Sequence, residues 1–161
     1  MNILHLTGSQ PLSCSLLSLL NEEKLMPSSK HQDKLYTRDE LKNKLSPLEY
    51  QVTQQKYTER PFTGRYVNEW SSGDYHCVVC GSVLFNSESK FQSSTGWPSF
   101  TSPCERSQVA FRLDTLEGQR RVEVACRHCG AHLGHVFDDG PKPSRLRYCI
   151  NSAALNFRKR A

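Results

Sequence analysis

The sequence predicts a mainly β domain of antiparallel sheets, stapled by a metal and preceded by short helices. Three observations carry this reading. Two matched Cys-x-x-Cys-Gly doublets stand far apart in the chain, short β-branched segments separated by Gly, Pro, Ser and Asp follow Pro61, and two helix-start signatures precede it. The chain has 161 residues, enough for one domain and an appendage. Only 37% of residues are hydrophobic and the mean hydropathy is −0.60, so a small core benefits from a staple. The net charge of +5 is scattered, and its densest run, Arg158-Lys159-Arg160, reads as a solvated end. No nucleic-acid partner is expected. No apolar stretch is long enough for a membrane helix, so no membrane is expected either.

Residues 1–36 read as a flexible leader and 37–161 as the folded domain. The weakly apolar stretch 12–20 has no Lys or Arg before it, which argues against a secretory signal. The first arginine is Arg38, yet the serine-rich opening lacks acids up to Asn21, so a mitochondrial targeting role stays open. Thr37 with Glu40, and Ser46 with Glu49, match capping boxes that open two helices, with Pro47 in a tolerated first-turn position. Leu41, Leu45, Leu48 and Val52 are the expected buried stripe. Segments such as 109–113 and 122–126 then read as strands, within a region of mostly β structure over 61–157.

Seven cysteines cannot all pair within one molecule, and two tight doublets favour metal over a secreted disulfide framework. This places the protein inside the cell, with the cytoplasm as the expected compartment. Cys77, Cys80, Cys126 and Cys129 supply four thiolates, which satisfy one tetrahedral Zn²⁺ and close it to substrate, as structural sites require. The two-residue gap lets one turn aim both sulfurs at the metal, and Gly81 and Gly130 permit the left-handed backbone that follows. A redox Cys-x-x-Cys would sit in a βαβ pattern, which is absent here, and disulfides within the doublets would be small, strained rings.

Cys14, Cys104 and Cys149 remain. In the strand pattern around Cys149 the two-residue period puts Arg147, Cys149 and Asn151 on one face, with Tyr148 and Ile150 turned to the core. A fixed cation beside the thiol favours thiolate, the nucleophilic form, although an ordinary strand cysteine has the same local look. His132 and His135, three residues apart, suit proton transfer near neutral pH, and Gly96-Trp97-Pro98 displays an indole on a stiffened loop.

In order along the chain, CxxCG, GWPSF, CxxCG, GAHLGHVFDDGP and RYCINS resemble the type B methionine sulfoxide reductases over roughly residues 45–157. The resemblance implies that Cys149 attacks the sulfur of methionine-R-sulfoxide in oxidised proteins. It implies that His132 and His135 hold and protonate the oxygen, that Trp97 and Phe137 pack on the methyl group, and that Arg147 and Asn151 tune the thiolate. Asp139 is implied to support the histidines or the arginine. His132, Val136 and Asn151 match cysteine-using rather than selenocysteine-using members. One departure stands out: Thr95 occupies the place where many members carry a resolving cysteine. Cys104, Cys14, or direct reduction by thioredoxin or another thiol remain as routes for regeneration. The protein is expected to act as a monomer. A zinc-ribbon-like module binding nucleic acid or protein is the alternative, and it leaves the His132/His135 pair, Trp97 and the Cys149 face unused. A zinc deaminase would need a His-x-Glu motif, but Val136-Phe137 follows His135.

Overall fold

The computed structural model describes residues 10–26 and 35–161. Three helices lead into two antiparallel sheets, the architecture expected from the sequence. Helices α2 (Arg38–Lys44) and α3 (Pro47–Gln55) both start on complete capping boxes, with Thr37 and Ser46 hydroxyls accepting from the Glu40 and Glu49 amides and the glutamates reaching back. Leu45 and Val52 are buried and Leu41 is half-buried. Leu48 departs from the expected stripe and stands exposed, because Ser46 and Pro47 fix the start of α3 so that its second residue faces out.

Part of the segment expected to be a flexible leader is helical. Helix α1 (Cys14–Leu25) begins on the Ser13 cap and buries Leu16 and Leu19 in the main core. Its Glu23 carboxylate accepts from Arg127 at 2.7 Å, and from Arg106 and the Phe111 amide at 3.3 Å each. These contacts hold the Glu23 carboxyl below the usual carboxylate range despite the opposing push of burial. Two leucines and a well-partnered carboxylate therefore dock α1 on the sheet. The remaining targeting expectation for residues 1–9 and 27–34 lies outside the described residues.

The three-stranded sheet has the order β2 (Val83–Asn86), β1 (Gly73–Cys77), β9 (Leu155–Lys159). The six-stranded sheet runs β3 (Lys90–Phe91), β4 (Ser99–Phe100), β8 (Arg147–Ile150), β7 (His132–Phe137), β6 (Arg121–Cys126), β5 (Val109–Asp114). Their facing sides share one core with Phe85 stacked on Phe100 at 4.5 Å between centroids and Tyr75 set edge-on to Phe100 at 5.1 Å. The basic end, Arg158-Lys159-Arg160, is exposed, as expected of a solvated end. Arg160 donates to Asp74 at 2.6 Å and also pairs with Glu88.

Cross-strand register positions the site. Arg112, Glu123, His135, Cys149 and Ser99 lie opposite one another on five successive strands, β5, β6, β7, β8 and β4. One extra residue, Leu133, bulges between β7 and β6, since Val124 faces Gly134 while Ala125 faces His132. Three residues apart on a regular strand would put His132 and His135 on opposite faces. The bulge returns them to one face, with ring centroids 5.4 Å apart. Gly134 is required here by close approach, because a Cβ would sit 2.0 Å from the Cys149 carbonyl oxygen.

Candidate active site

Cys149 sits half-buried on β8, in a pocket of about 170 Å³ lined by Trp97, His135, Phe137, Arg147 and Asn151, with Thr58, Thr95, Arg121 and Gly134 completing the wall. Five sequence-derived candidates thus surround the thiol. Asp139 does not line the pocket. Its carboxylate takes a two-pronged bond from Arg147, at 2.8 and 3.1 Å, and the guanidinium lies 4.6 Å from the Phe137 ring centre. Of the two supports expected of Asp139, the structure shows the arginine and not the histidines.

The histidines have other carboxylates. His135 Nε2 meets Asp114 at 2.7 Å, and His132 Nδ1 meets Glu123 at 2.6 Å. Each pair fixes its ring's orientation and tautomer, as a carboxylate does for a catalytic imidazole. Sequence reasoning missed both acids because they lie on β5 and β6, and only register brings them across. Lys56, in the left-handed conformation at the end of α3, brings its ammonium to 3.4 Å from the buried Glu123 carboxylate. His132 is one row behind Cys149, and its Nε2 finds no hydrogen-bond partner among the described residues.

Asn151 is a fastener. Its side chain donates to the Leu133 carbonyl and accepts from the Glu59 amide, both at 3.0 Å. The Glu59 carbonyl in turn accepts the Trp97 indole N–H at 3.1 Å. One buried amide therefore ties the β7 bulge to the loop that holds the indole. Glu59, another residue missed from sequence, is nearly inaccessible and its carboxyl accepts from the Ala153 amide.

The electrostatics differ from the expectation of a resting thiolate. Burial pushes the Cys149 thiol up, and this outweighs the pull of Arg147 and of a Thr95 hydrogen bond. Asp139, which faces the same guanidinium, adds only a smaller upward push. Burial also holds the His135 imidazole below its usual value, against the upward pull of Asp114. At neutral pH the pair starts as thiol and uncharged imidazole, adjacent across β7 and β8.

Desolvation pushes the Glu123 and Asp114 carboxyls up, yet hydrogen bonds from the histidines and, for Asp114, the Leu116 amide hold both below their ordinary values. The folded state therefore takes up these protons less readily than the unfolded chain. Their stabilisation is complete above the usual carboxylate range and drains away as pH falls through it. Glu59, raised by burial, works with the opposite sign. Glu123→Gln is expected to destabilise at neutral pH by about 1–3 kcal/mol and to flatten the loss of stability between about pH 5 and pH 3. Thermal melts of both proteins across that range check this; parallel pH profiles would remove Glu123 from the account.

The four doublet cysteines converge elsewhere. All four sulfurs lie within 4.8 Å of one another, with Cys77–Cys129 and Cys80–Cys126 at 3.6 Å. Tetrahedral zinc with Zn–S near 2.3 Å sets sulfurs about 3.8 Å apart, whereas a disulfide needs about 2.05 Å. The cluster is a four-thiol metal site. Its two turns are built alike: Gly81 and Gly130 amides donate to the Cys77 and Cys126 carbonyls, and both glycines take positive φ, +82° and +75°. The site joins the β1–β2 turn of one sheet to the β6–β7 turn of the other. His76 Nδ1 lies 2.9 Å from the Gly81 carbonyl, outside the sulfur cluster.

The remaining thiols stand apart from the pocket. Cys104, after β4, donates its amide to Leu84 on β2, and Cys14 is exposed at the start of α1. No helix among the described residues is long and apolar enough to cross a membrane.

Comparison with known proteins agrees with this geometry. The SelR domain family matches residues 45–159. The peptide methionine sulfoxide reductase MsrB of Burkholderia thailandensis is 54% identical over 125 residues, spanning 76% of this chain and 87% of that protein. The corresponding Burkholderia ambifaria protein is 52% identical over 128 residues, 78% of this chain and 90% of the relative. Methionine-R-sulfoxide reductase B3, mitochondrial, of Mus musculus is 46% identical over a 162-residue alignment that takes in 97% of this chain and 61% of the mouse protein. With more than two thirds of its length matched and an ordered thiol pocket beside a four-cysteine metal site, the chain belongs to the SelR family, the type B methionine sulfoxide reductases.

Proposed function

We propose that this protein reduces methionine-R-sulfoxide in oxidised proteins, with Cys149 as nucleophile and one structural Zn²⁺ on Cys77, Cys80, Cys126 and Cys129. The observation that carries the reading is the meeting of one thiol, one carboxylate-braced imidazole and one indole in a single pocket. A sulfoxide oxygen leaves only after protonation, so a nucleophile needs an acid at its side. The Cys149 proton passes by way of His135 to the sulfoxide oxygen as the sulfur attacks. The thioether leaves as methionine, and oxygen is transferred to give Cys149 sulfenic acid. Thiol plus sulfoxide thus become sulfenic acid plus thioether, with every atom retained.

Trp97 and Phe137 pack on the methyl group, while Arg147 and Asn151 hold the thiol's surroundings. His132, braced by Glu123, presents an unpartnered nitrogen behind His135 and supports a water or the departing oxygen. Asp139 acts through Arg147. Cys77, Cys80, Cys126 and Cys129 would hold the zinc with a full thiolate shell, where it would fix the ends of β1 and β6 rather than meet substrate.

Neither Cys104 nor Cys14 lines the pocket, and Thr95 offers no thiol. Regeneration therefore falls to an external reductant, thioredoxin or another thiol: one thiol attacks the sulfenic acid, releasing water and forming a mixed disulfide, and a second thiol attacks that disulfide to free Cys149. The intracellular placement expected from the unpaired thiols belongs to the same proposal. One turnover with excess R-sulfoxide and no reductant should yield one methionine per chain and consume one titratable thiol. A count of two would show an internal resolving cysteine, and an equal yield from the S epimer would sink the stereochemical assignment.

A further inference from the structure

Three hydroxyls beside the pocket have no part in the reaction just described. Ser93 Oγ lies 2.9 Å from Thr95 Oγ1 and 2.7 Å from Ser99 Oγ, and Ser99 Oγ is 3.2 Å from the Trp97 carbonyl. The Thr95 amide also donates to Ser93 Oγ at 3.4 Å. Ser99 is fully buried and stands directly opposite Cys149 across β4 and β8. Thr95 lines the same pocket as the Cys149 thiol.

Each hydroxyl has one proton, so the row has two arrangements. In the first, Ser99 donates to the Trp97 carbonyl, Ser93 to Ser99 and Thr95 to Ser93. Thr95 Oγ1 is then left to accept the proton of a Cys149 thiol. In the second, the two hydroxyl–hydroxyl bonds reverse and Ser99 releases the Trp97 carbonyl: Ser99 donates to Ser93, Ser93 to Thr95, and Thr95 to the sulfur. That arrangement suits a thiolate, and donation along a row of hydroxyls strengthens the last bond. We propose that Ser99, Ser93 and Thr95 form a reversible hydroxyl chain that accepts from Cys149 as a thiol and donates to it as a thiolate. The three are positioning residues for the nucleophile.

The surroundings explain why such a chain matters. The charged and titratable groups around the pocket are Arg147 on β8, His135 on β7, Arg121 on β6 and Asp139 behind Arg147. Arg147 is committed to Asp139, and Arg121 donates to Asp114 at 3.4 Å. From the β4 side, beside the Trp97 indole, the row offers hydroxyls. They can meet the sulfur in either protonation state, the second arrangement giving up the Ser99 bond to the Trp97 carbonyl.

This inference rests on Cys149 as the reacting thiol, and its test needs no sulfoxide. The pH dependence of Cys149 alkylation by iodoacetamide is followed by peptide mass spectrometry in the intact, metal-loaded protein. Thr95→Val keeps the shape and removes the hydroxyl, and should raise the midpoint by about one pH unit. Thr95→Ser should restore it. Ser93→Ala should give a smaller rise in wild type and none on top of Thr95→Val, because the chain is already broken there. An unmoved midpoint in Thr95→Val, or an equal rise in Thr95→Ser, would overturn the proposal. A shift as expected alongside an active Cys149→Ser variant would uphold the chain and refute the reductase mechanism.

Discussion

Replacing Cys149 by serine is expected to abolish reduction of methionine-R-sulfoxide while melting temperature and metal content stay near wild type. The two side chains differ by one atom, and β8 is held by Tyr148 and Ile150, which face the core, rather than by the thiol. A half-buried pocket position of this kind should change stability by less than about 1 kcal/mol. The loss of rate should reach background, since a serine hydroxyl neither ionises in this site nor forms a stable oxygen adduct that a thiol can reduce. A stopped assay with R-sulfoxide and dithiothreitol, run beside circular dichroism, separates the two effects. Measurable turnover by the folded serine variant would remove Cys149 from the reaction. In wild type the same thiol sets the pH profile. Its proton is held more tightly than in a free cysteine and is the one handed through His135 to the oxygen, so activity should persist through neutral pH and fall as the thiol ionises in alkali.

The thiol's face was legible from a two-residue period, and the structure keeps Arg147, Cys149 and Asn151 together as that period requires. Both capping boxes and both knuckle glycines were equally legible, because each depends on residues within one or two turns. What the sequence withheld are relations set by strand register. Glu123 and Asp114 reach the histidines from 9 and 21 residues away, and nothing local marks them as partners. His132 and His135 share a face only because Leu133 bulges, which a regular period cannot foresee. Helix α1 has weak amphipathic character and takes its place through Glu23, whose partner Arg127 lies 104 residues on. The ionisation of Cys149 was misjudged for a related reason. Arg147 is visible beside it, but the burial that outweighs the cation is a property of the assembled pocket.

The doublet cysteines offer a second large effect, with a built-in control. Cys77 and Cys126 are buried, at 2% and 0% exposure, whereas Cys80 and Cys129 are half-buried. If the cluster were only core packing, serine at Cys80 or Cys129 would cost little, and serine at Cys77 or Cys126 would cost more. Metal ligation predicts otherwise. Each thiolate supplies one quarter of a tetrahedral shell, so loss of any one should release the metal and lower the melting temperature to a similar extent. The scale is large, because binding of a structural zinc is worth roughly 10–16 kcal/mol in small peptides, comparable with the whole stability of a domain. For the intact protein, free metal at about a thousand times its dissociation constant contributes about 4 kcal/mol by mass action alone, and a chelator should withdraw it. Four serine variants, each measured for metal content by atomic emission and for melting by calorimetry, decide the matter. Equal collapse across all four fits a shared ion that clasps the β1–β2 turn to the β6–β7 turn, while a graded series that follows exposure would mean that packing, not metal, joins the two sheets.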